Sequence, residues 1–443
     1  MNKLDVINNL IKESIILGAT DADAIIIDSS SLSAEVRMGK PTNIEYSQDM
    51  SVALRVLINQ QQAIVSTSNF DKNSLDSMVE RVIAMAKVTP KNPNLFLASK
   101  EQICTKIKDL NLYDEQEMSA ETLLDNAKEA ESIALENKEI TNSDGASSST
   151  SKSKLYFATS NGFSQYYETS MNSAVLSVIA GKDENMQTGY DFSMARFAKD
   201  LKTPKDIGRD SAKKTIAKLF PKKIASAEMP VIFENHIAAG LLGAFSSAIN
   251  GSSISRGTSF LCNHLGKEIF NPAVNIIDDP FIIKGLSSRA FDAEAMSGEK
   301  LNIVNNGILN HYLLDLQTAH KLNMQSNARA SRGLSSTPSP SSTNMHILAG
   351  KESLQSMIGN IKKGLFITEA FGSGANIVTG EYSQGVSGFL IENGKLTYAV
   401  SEITIAGNLK TMFMQMIPAS DLKFDRGLNS PSLYIERMTI AGV

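Results

Sequence analysis

At three places, Asn161-Gly162, Asn306-Gly307 and Asn393-Gly394, an Asn-Gly pair sits between segments of β-favouring residues. A two-residue type I′ hairpin needs positive φ at both central positions, which Asn and Gly accept with least strain. The chain is therefore expected to fold back on itself as antiparallel strands in three separated regions. Similar runs recur around them. ADAIIIDS, SAEVRM, SVALRVLI and QAIVSTS fill the stretch from about Ala24 to Ser68, LYFATSNGFSQYYETS and SAVLSVIAG follow, and YSQGVSG, GFLIENGKLTYAV and SEITIAGN come later. Short β-rich runs punctuated by Gly, Pro and polar turns predict sheets.

Helical periodicity is concentrated in the first half. Leu4, Ile7, Leu10, Ile11 and Leu17 recur at helical spacing and Gly18 follows as a C-terminal signal. Asn73 or Ser74 is read as the cap of a second helix with Leu75, Met78, Val79, Val82, Ile83 and Ala86 on one face, stopped by Pro90 and Pro93. TLLDNAKEAESIALENK (122–138) predicts a third, and another is expected near 204–219. The Ser-rich stretch DGASSSTSKSK (144–154) has the composition of a linker. Because it runs straight into a hairpin signal, it is assigned to a strand at a sheet edge or along a cavity.

A single core stops growing at about 250–300 residues, so 443 residues imply two domains. Residues 1–222 are expected to form an α+β domain with helices packed on an antiparallel sheet. LFPKKIASAEMPV carries the boundary, and residues 223–443 are expected to be β-rich and barrel-like with few helices. Lys plus Arg total 43 against 47 for Asp plus Glu, and a net charge of -4 gives no field to gather phosphates, which argues against a nucleic-acid partner. The start MNKLDVINNL has no signal-peptide pattern, and no apolar run is long enough to span a bilayer. Two cysteines, Cys104 and Cys262, fit a cytoplasmic chain without disulfides.

The segment FENHIAAGLLGAF (233–245) raises the question of function. From His236 to Ile249 it is an apolar helix with Ile237, Leu241, Leu242 and Phe245 at core spacing, and Ala238, Ala239, Gly240 and Gly243 permit close approach of another backbone. It opens with a carboxylate, an amide and an imidazole. Four and five residues after His236 stand Gly240 and Leu241, which cannot ligate a metal, and His264, His311, His320 and His346 are scattered singly. Cys262, beside Phe260 and Leu261, reads as a buried, inert thiol, and Cys104 lacks ligand spacing.

Asp278 and Asp279, with Asp292 and Glu294, form a second constellation that could serve as acid and base. The plainer reading is solvated turns, or partners for an Arg such as Arg289. Gly372, Gly374 and Gly380 match neither the dinucleotide fingerprint nor the P-loop, and no G-x-S-x-G elbow supports a serine hydrolase.

FENHIAAGLLGAFSSAINGSS, SFLCNHLGKEIFNP, DDP (278–280), SRAFDAE, NNGILNHYLLDLQTAHKL, NIVTGEYSQGVSGFLIENGK, SEITIAGNL and the closing SPSLYIERMTIAG follow one another in an order that resembles the TldD/PmbA family, in its PmbA (TldE) branch. The resemblance runs essentially the whole length and is strongest from residue 231. It implies that TldD-type chains carry zinc on an HExxxH helix completed by a C-terminal cysteine. With GLLGAF as anchor, those helix positions fall on Glu234, Asn235 and Ala239, and TMFMQMIPASDLKF holds no cysteine. It further implies a noncatalytic chain with no cofactor of its own. A TldD-type partner would supply the zinc in a heterodimer acting on unfolded peptides, in proteolysis and peptide maturation. The alternative is a metal-free peptide-binding or assembly protein that acts as a homodimer, and the family label of gyrase modulator does not offset the acidic balance. Asn376, Thr379, Ser383 and Ser387 are expected on the wall of a peptide cavity, unless the glycines around them simply serve bulges and turns.

Overall fold

The structure is a computed structural model that describes residues 2–372 and 374–442. The first half contains, in order, α1 (Lys3–Ile16), β1 (Asp21–Arg37), β2 (Lys40–Ile58), β3 (Gln61–Thr67), α2 (Lys72–Val88), α3 (Ala120–Leu135), β4 (Ile140–Thr159), β5 (Ser164–Ala180), β6 (Gln187–Ala195) and α4 (Pro204–Ile216). The six strands form one antiparallel sheet ordered β3-β2-β1-β4-β5-β6. Strand alternation sorts its faces. Ala22, Ala24 and Ile26 pack with Val6, Ile7 and Leu10 of α1 and with Val79 and Val82 of α2. Ala127 and Ala130 of α3 and Ile207 of α4 pack on Leu176, Val178 and Ala180 further along. Ile25, Ala53 and Phe157, at the opposite parity, face Phe291 from the second half.

Two local expectations are corrected. The α2 cap is Asp71, whose carboxylate accepts from the Ser74 N–H, so Ser74 is the residue capped. The Ser-rich stretch lies inside β4, between β1 and β5, and is not an edge. Small hydroxyl side chains tolerate this interior place because they bond locally, as Ser149 and Ser173 do across the strands at 2.7 Å. SAVLSVIAG is the continuation of β5 and not a separate strand.

The second half contains β7 (Ala227–Phe233), α5 (Asn235–Ala248), α6 (Gly251–Ser255), β8 (Ile276–Asp279), β9 (Leu301–Asn305), β10 (Ile308–Leu309), α7 (Leu316–Lys321), β11 (Ala330–Ser331), β12 (Ser339–Pro340), β13 (Asn344–Ile347), α8 (Leu354–Gly359), β14 (Lys363–Phe371), β15 (Glu381–Glu392), β16 (Lys395–Asn408), α9 (Leu409–Gln415), β17 (Ile417–Pro418) and β18 (Leu433–Ala441). Strands β16-β15-β14-β7-β18 are joined in that order, and pairing of β16 with β18 closes them into a barrel. Only the β7–β14 pairing among these is parallel. A smaller sheet, β10-β9-β8-β13, lies beside it. The expected α+β class, with a β-rich barrel in the second half, is what the chain adopts.

Two of the three Asn-Gly turns have the expected geometry, with φ of 47° and 81° at Asn306-Gly307 and 50° and 78° at Asn393-Gly394. At Asn161-Gly162 only Gly162 has positive φ, at 103°. The hairpin still forms, closed by the Thr159 N–H donating to Phe163 O at 2.9 Å.

Candidate functional site

Strand β7 delivers Glu234 to the start of α5, and the barrel fixes its position: the Glu234 N–H donates to Ile367 O of β14 at 2.9 Å, and the Glu234 carbonyl accepts from Ala238 at 2.8 Å. Glu234 is the N-cap residue, yet its side chain caps nothing. The carboxyl Oε2 instead lies 3.1 Å from His236 Nδ1. Burial pushes the Glu234 acid up to about 7, helped by Asp421 and Asp191 and opposed by Lys214 and Lys423. Burial also pushes the His236 imidazole down to about 4, with Arg426 and Lys214 adding to the effect. Burial thus weights both groups toward their neutral forms between these values, side by side at the start of α5.

Both halves of the chain build this environment. Asn235 and His236 sit against Lys423, Asp425, Arg426 and Ser430. From the first half, the Lys214 ammonium donates to Asp191 at 2.6 Å, and the Arg426 guanidinium stacks on Phe192 with its carbon 5.0 Å from the ring centre. Farther along α5, a cleft of about 410 Å³ opens between the helix and the barrel, lined by His236, Ile237, Gly240, Leu241, Tyr382 and Gln384 among others.

The three positions aligned with the zinc motif thus present a carboxyl raised to about 7 by burial, an amide and, at Ala239, a buried methyl group. Among the described residues, no group of three or more His, Cys, Asp or Glu side chains is placed to hold a metal ion. This donor set does not fit zinc.

Asn376 and Thr379 are exposed and organise a turn. Asn376 Oδ1 accepts from the Val378 N–H at 2.9 Å, and Thr379 Oγ1 accepts from the Glu381 N–H at 3.2 Å. Ser383 is exposed, and Ser387 lies at a bulge of β15. The cleft wall comes from Tyr382 and Gln384, whose side chains bond to each other at 2.5 Å. Period-two alternation through EYSQG was the signal that separates Tyr382 and Gln384 from Ser383.

The carboxylates of the second constellation are not solvated: Asp278, Asp292 and Glu294 are buried. Asp278 pairs with Arg329, not Arg289, and also accepts from Thr343 Oγ1 at 2.9 Å. Asp279 accepts from the Phe281 N–H, Asp292 from Glu294, Met296 and Ala330, and Glu294 from Leu316. Each therefore fixes backbone. Cys262 is partly buried against the second-half core, with its Sγ 3.8 Å from Ile254 O, whereas Cys104 is the fully buried thiol.

The architecture is a closed barrel with α5 at its start and a separate helix-covered antiparallel sheet formed by the first half. Family models match it in three consecutive parts: PmbA/TldA metallopeptidase domain 1 at 22–86, the central domain at 113–219 and the C-terminal domain at 226–442. The metalloprotease PmbA homolog of Haemophilus influenzae is 33% identical over 95% of this chain and 92% of its own length. A crystal structure from Bacteroides thetaiotaomicron, of a protein named as a candidate modulator of DNA gyrase, superposes with a TM-score of 0.92 at 25% identity, covering 99% of this chain and 98% of that one. TldE from Thermococcus kodakarensis shares the fold, with a TM-score of 0.87 at 20% identity over 99% of this chain and 100% of that one. The chain belongs to the PmbA/TldD family, which also includes proteins named TldD and TldE. Among the described residues, no helix is long and apolar enough to cross a membrane.

Proposed function

We propose that this chain is the noncatalytic, PmbA/TldE-type half of a cytoplasmic zinc metallopeptidase that acts on unfolded peptides, with the metal supplied by a TldD-type partner. The observation that carries this reading is the donor set on α5. Glu234 is engaged with His236, position 235 is an amide, and position 239 is a buried methyl, so the helix keeps the metallopeptidase scaffold without ligands for zinc. The cleft beside α5 supports a role in holding peptide. Its lining joins apolar side chains, Ile237, Leu241 and Ile377, to the polar groups of Tyr382 and Gln384.

The test is metal analysis of the purified chain together with a peptide-cleavage assay, with and without a TldD-type protein. The expected result is less than stoichiometric zinc and no cleavage by this chain alone, and chelator-sensitive cleavage by the mixture. Stoichiometric zinc in this chain alone would overturn the reading. A chain that dimerises with itself and gives no cleavage with the partner would favour a metal-free peptide-binding homodimer.

A further inference from the structure

The first-half sheet and the loops of the second half meet around a cavity of about 70 Å³, remote in sequence from α5. Phe157 and Tyr167 line it from the sheet, and Arg289, Asp292, Ser331 and Arg332 from the loops. The Arg332 side chain is 1% exposed. Its Nη1 donates to Asp23, but among the described residues its Nε and Nη2 have no hydrogen-bond partner, and neither does Nη2 of Arg289. A guanidinium carries five donors and keeps its charge, so unpartnered N–H groups around a buried space are strongly unfavourable.

The surrounding carboxylates are already committed. Asp23 is shared between Arg332 and the Arg55 Nε at 2.7 Å. Asp292 spends both oxygens on backbone, accepting from Glu294 and Met296 at 2.9 Å each and from Ala330 at 3.1 Å. Burial and the neighbouring Asp292 push the Glu294 acid well above the usual carboxylate range. Arg289 and Arg332 therefore keep three buried guanidinium nitrogens that no carboxylate or backbone carbonyl meets among the described residues.

A cavity of about 70 Å³ lies far below the roughly 300–1,000 Å³ of ordinary small-molecule pockets, which suits a halide or a one-carbon carboxylate. We propose that this cavity binds a small monovalent anion, held by Arg289 Nη2 and by Nε and Nη2 of Arg332, which ties the first-half sheet to the loops of the second half.

Crystals of the full chain soaked in sodium bromide test the site directly. A bromide anomalous peak within hydrogen-bond reach of both guanidinium groups is expected, and ordered water alone at that place would overturn the proposal. In solution, bromide or formate is compared with a bulky sulfonate at equal ionic strength. The melting midpoint is expected to rise by about 3–5 °C when the small anion is a hundredfold above its Kd. Arg289→Gln should abolish that difference while keeping the general response to salt. Equal midpoints in all three salts for the unaltered chain, or an unchanged small-anion effect in Arg289→Gln, would overturn the proposal. Should Arg289→Gln fail to fold, the bromide map and the midpoints of the unaltered chain decide.

Discussion

Glu234 Oε2 and His236 Nδ1 lie 3.1 Å apart, which sets the carboxyl at the first zinc-motif position against the imidazole two residues on. The pair sits where β7 becomes α5, held by the barrel on one side and by Lys214 and Asp191 of the first half on the other. Its protonation is therefore sensitive to how the two halves are stacked.

The pH dependence follows from the directions of the two shifts. Glu234 is raised from 4.5 to about 7, so its proton-linked contribution to stability is full below pH 4.5 and is lost as pH rises through 7. His236 is lowered from 6.5 to about 4, so its contribution is full above pH 6.5 and is lost as pH falls through 4. The two oppose each other across the middle of the range. Glu234→Gln removes the first alone, so its stability relative to the unaltered chain should rise by about 2–3 kcal/mol between pH 5 and pH 8. Urea denaturation at the two pH values measures this, and a gap that does not change with pH would refute the assignment of a neutral acid.

Restoring the helix motif by Glu234→His, Asn235→Glu and Ala239→His should not by itself create a tight zinc site. Two imidazoles leave the ion short of a third protein ligand, and the described residues hold no group of three or more His, Cys, Asp or Glu placed for a metal. Insertion of an imidazole at the buried Ala239 should also cost about 1–3 kcal/mol. Zinc retained at one equivalent after dialysis would show that the helix lacked nothing but these side chains.

Arg329 and Asp278 form an ion pair with both side chains 0% exposed, and the guanidinium also donates to the carbonyls of Glu299 at 2.6 Å and Asn327 at 2.8 Å. Arg329→Met leaves a buried carboxylate without its cation and should destabilise the chain by about 3–5 kcal/mol. Arg329→Lys should recover little of this, because an ammonium cannot span the same fork of acceptors. Denaturant midpoints of the two variants check both statements.

Two glycines should respond oppositely to Ala. A Cβ on Gly388 would collide with the carbonyl of Phe366 in the neighbouring barrel strand, and backbone cannot yield, so a loss of about 3 kcal/mol or more is expected. A Cβ on Gly240 meets nothing within 4 Å, and Gly240→Ala should stabilise α5 by about 0.5–1 kcal/mol. Thermal melts of the two variants decide. A peptide-cleavage assay of Gly240→Ala with the partner then reads whether the added methyl intrudes on the cleft.

Much of the fold was written in local pattern. The spacing of Leu4, Ile7, Leu10 and Ile11 set the buried face of α1. Asn306-Gly307 and Asn393-Gly394 fixed two hairpins because positive φ is a demand of two adjacent residues. The order of motifs from residue 231 onward gave the family. The departures were contextual. A Ser-rich segment has the same composition in a linker, at an edge or inside a sheet, and only its two neighbours, β1 and β5, placed it inside. Arg289 does act on a carboxylate of the cluster, Asp292, whereas Asp278 is held by Arg329, a pairing set by which loops converge and not by distance along the chain.

By itself, then, the sequence determined which side chains the start of α5 could offer: a carboxyl, an amide, an imidazole and a methyl, which are too few donors of the right kind for zinc. Only the tertiary structure decided their state. Burial against the barrel makes Glu234 a neutral acid and His236 a neutral base, because ionisation is governed by the surrounding dielectric and charge, and both are assembled from residues as distant as Asp191, Lys214 and Arg426.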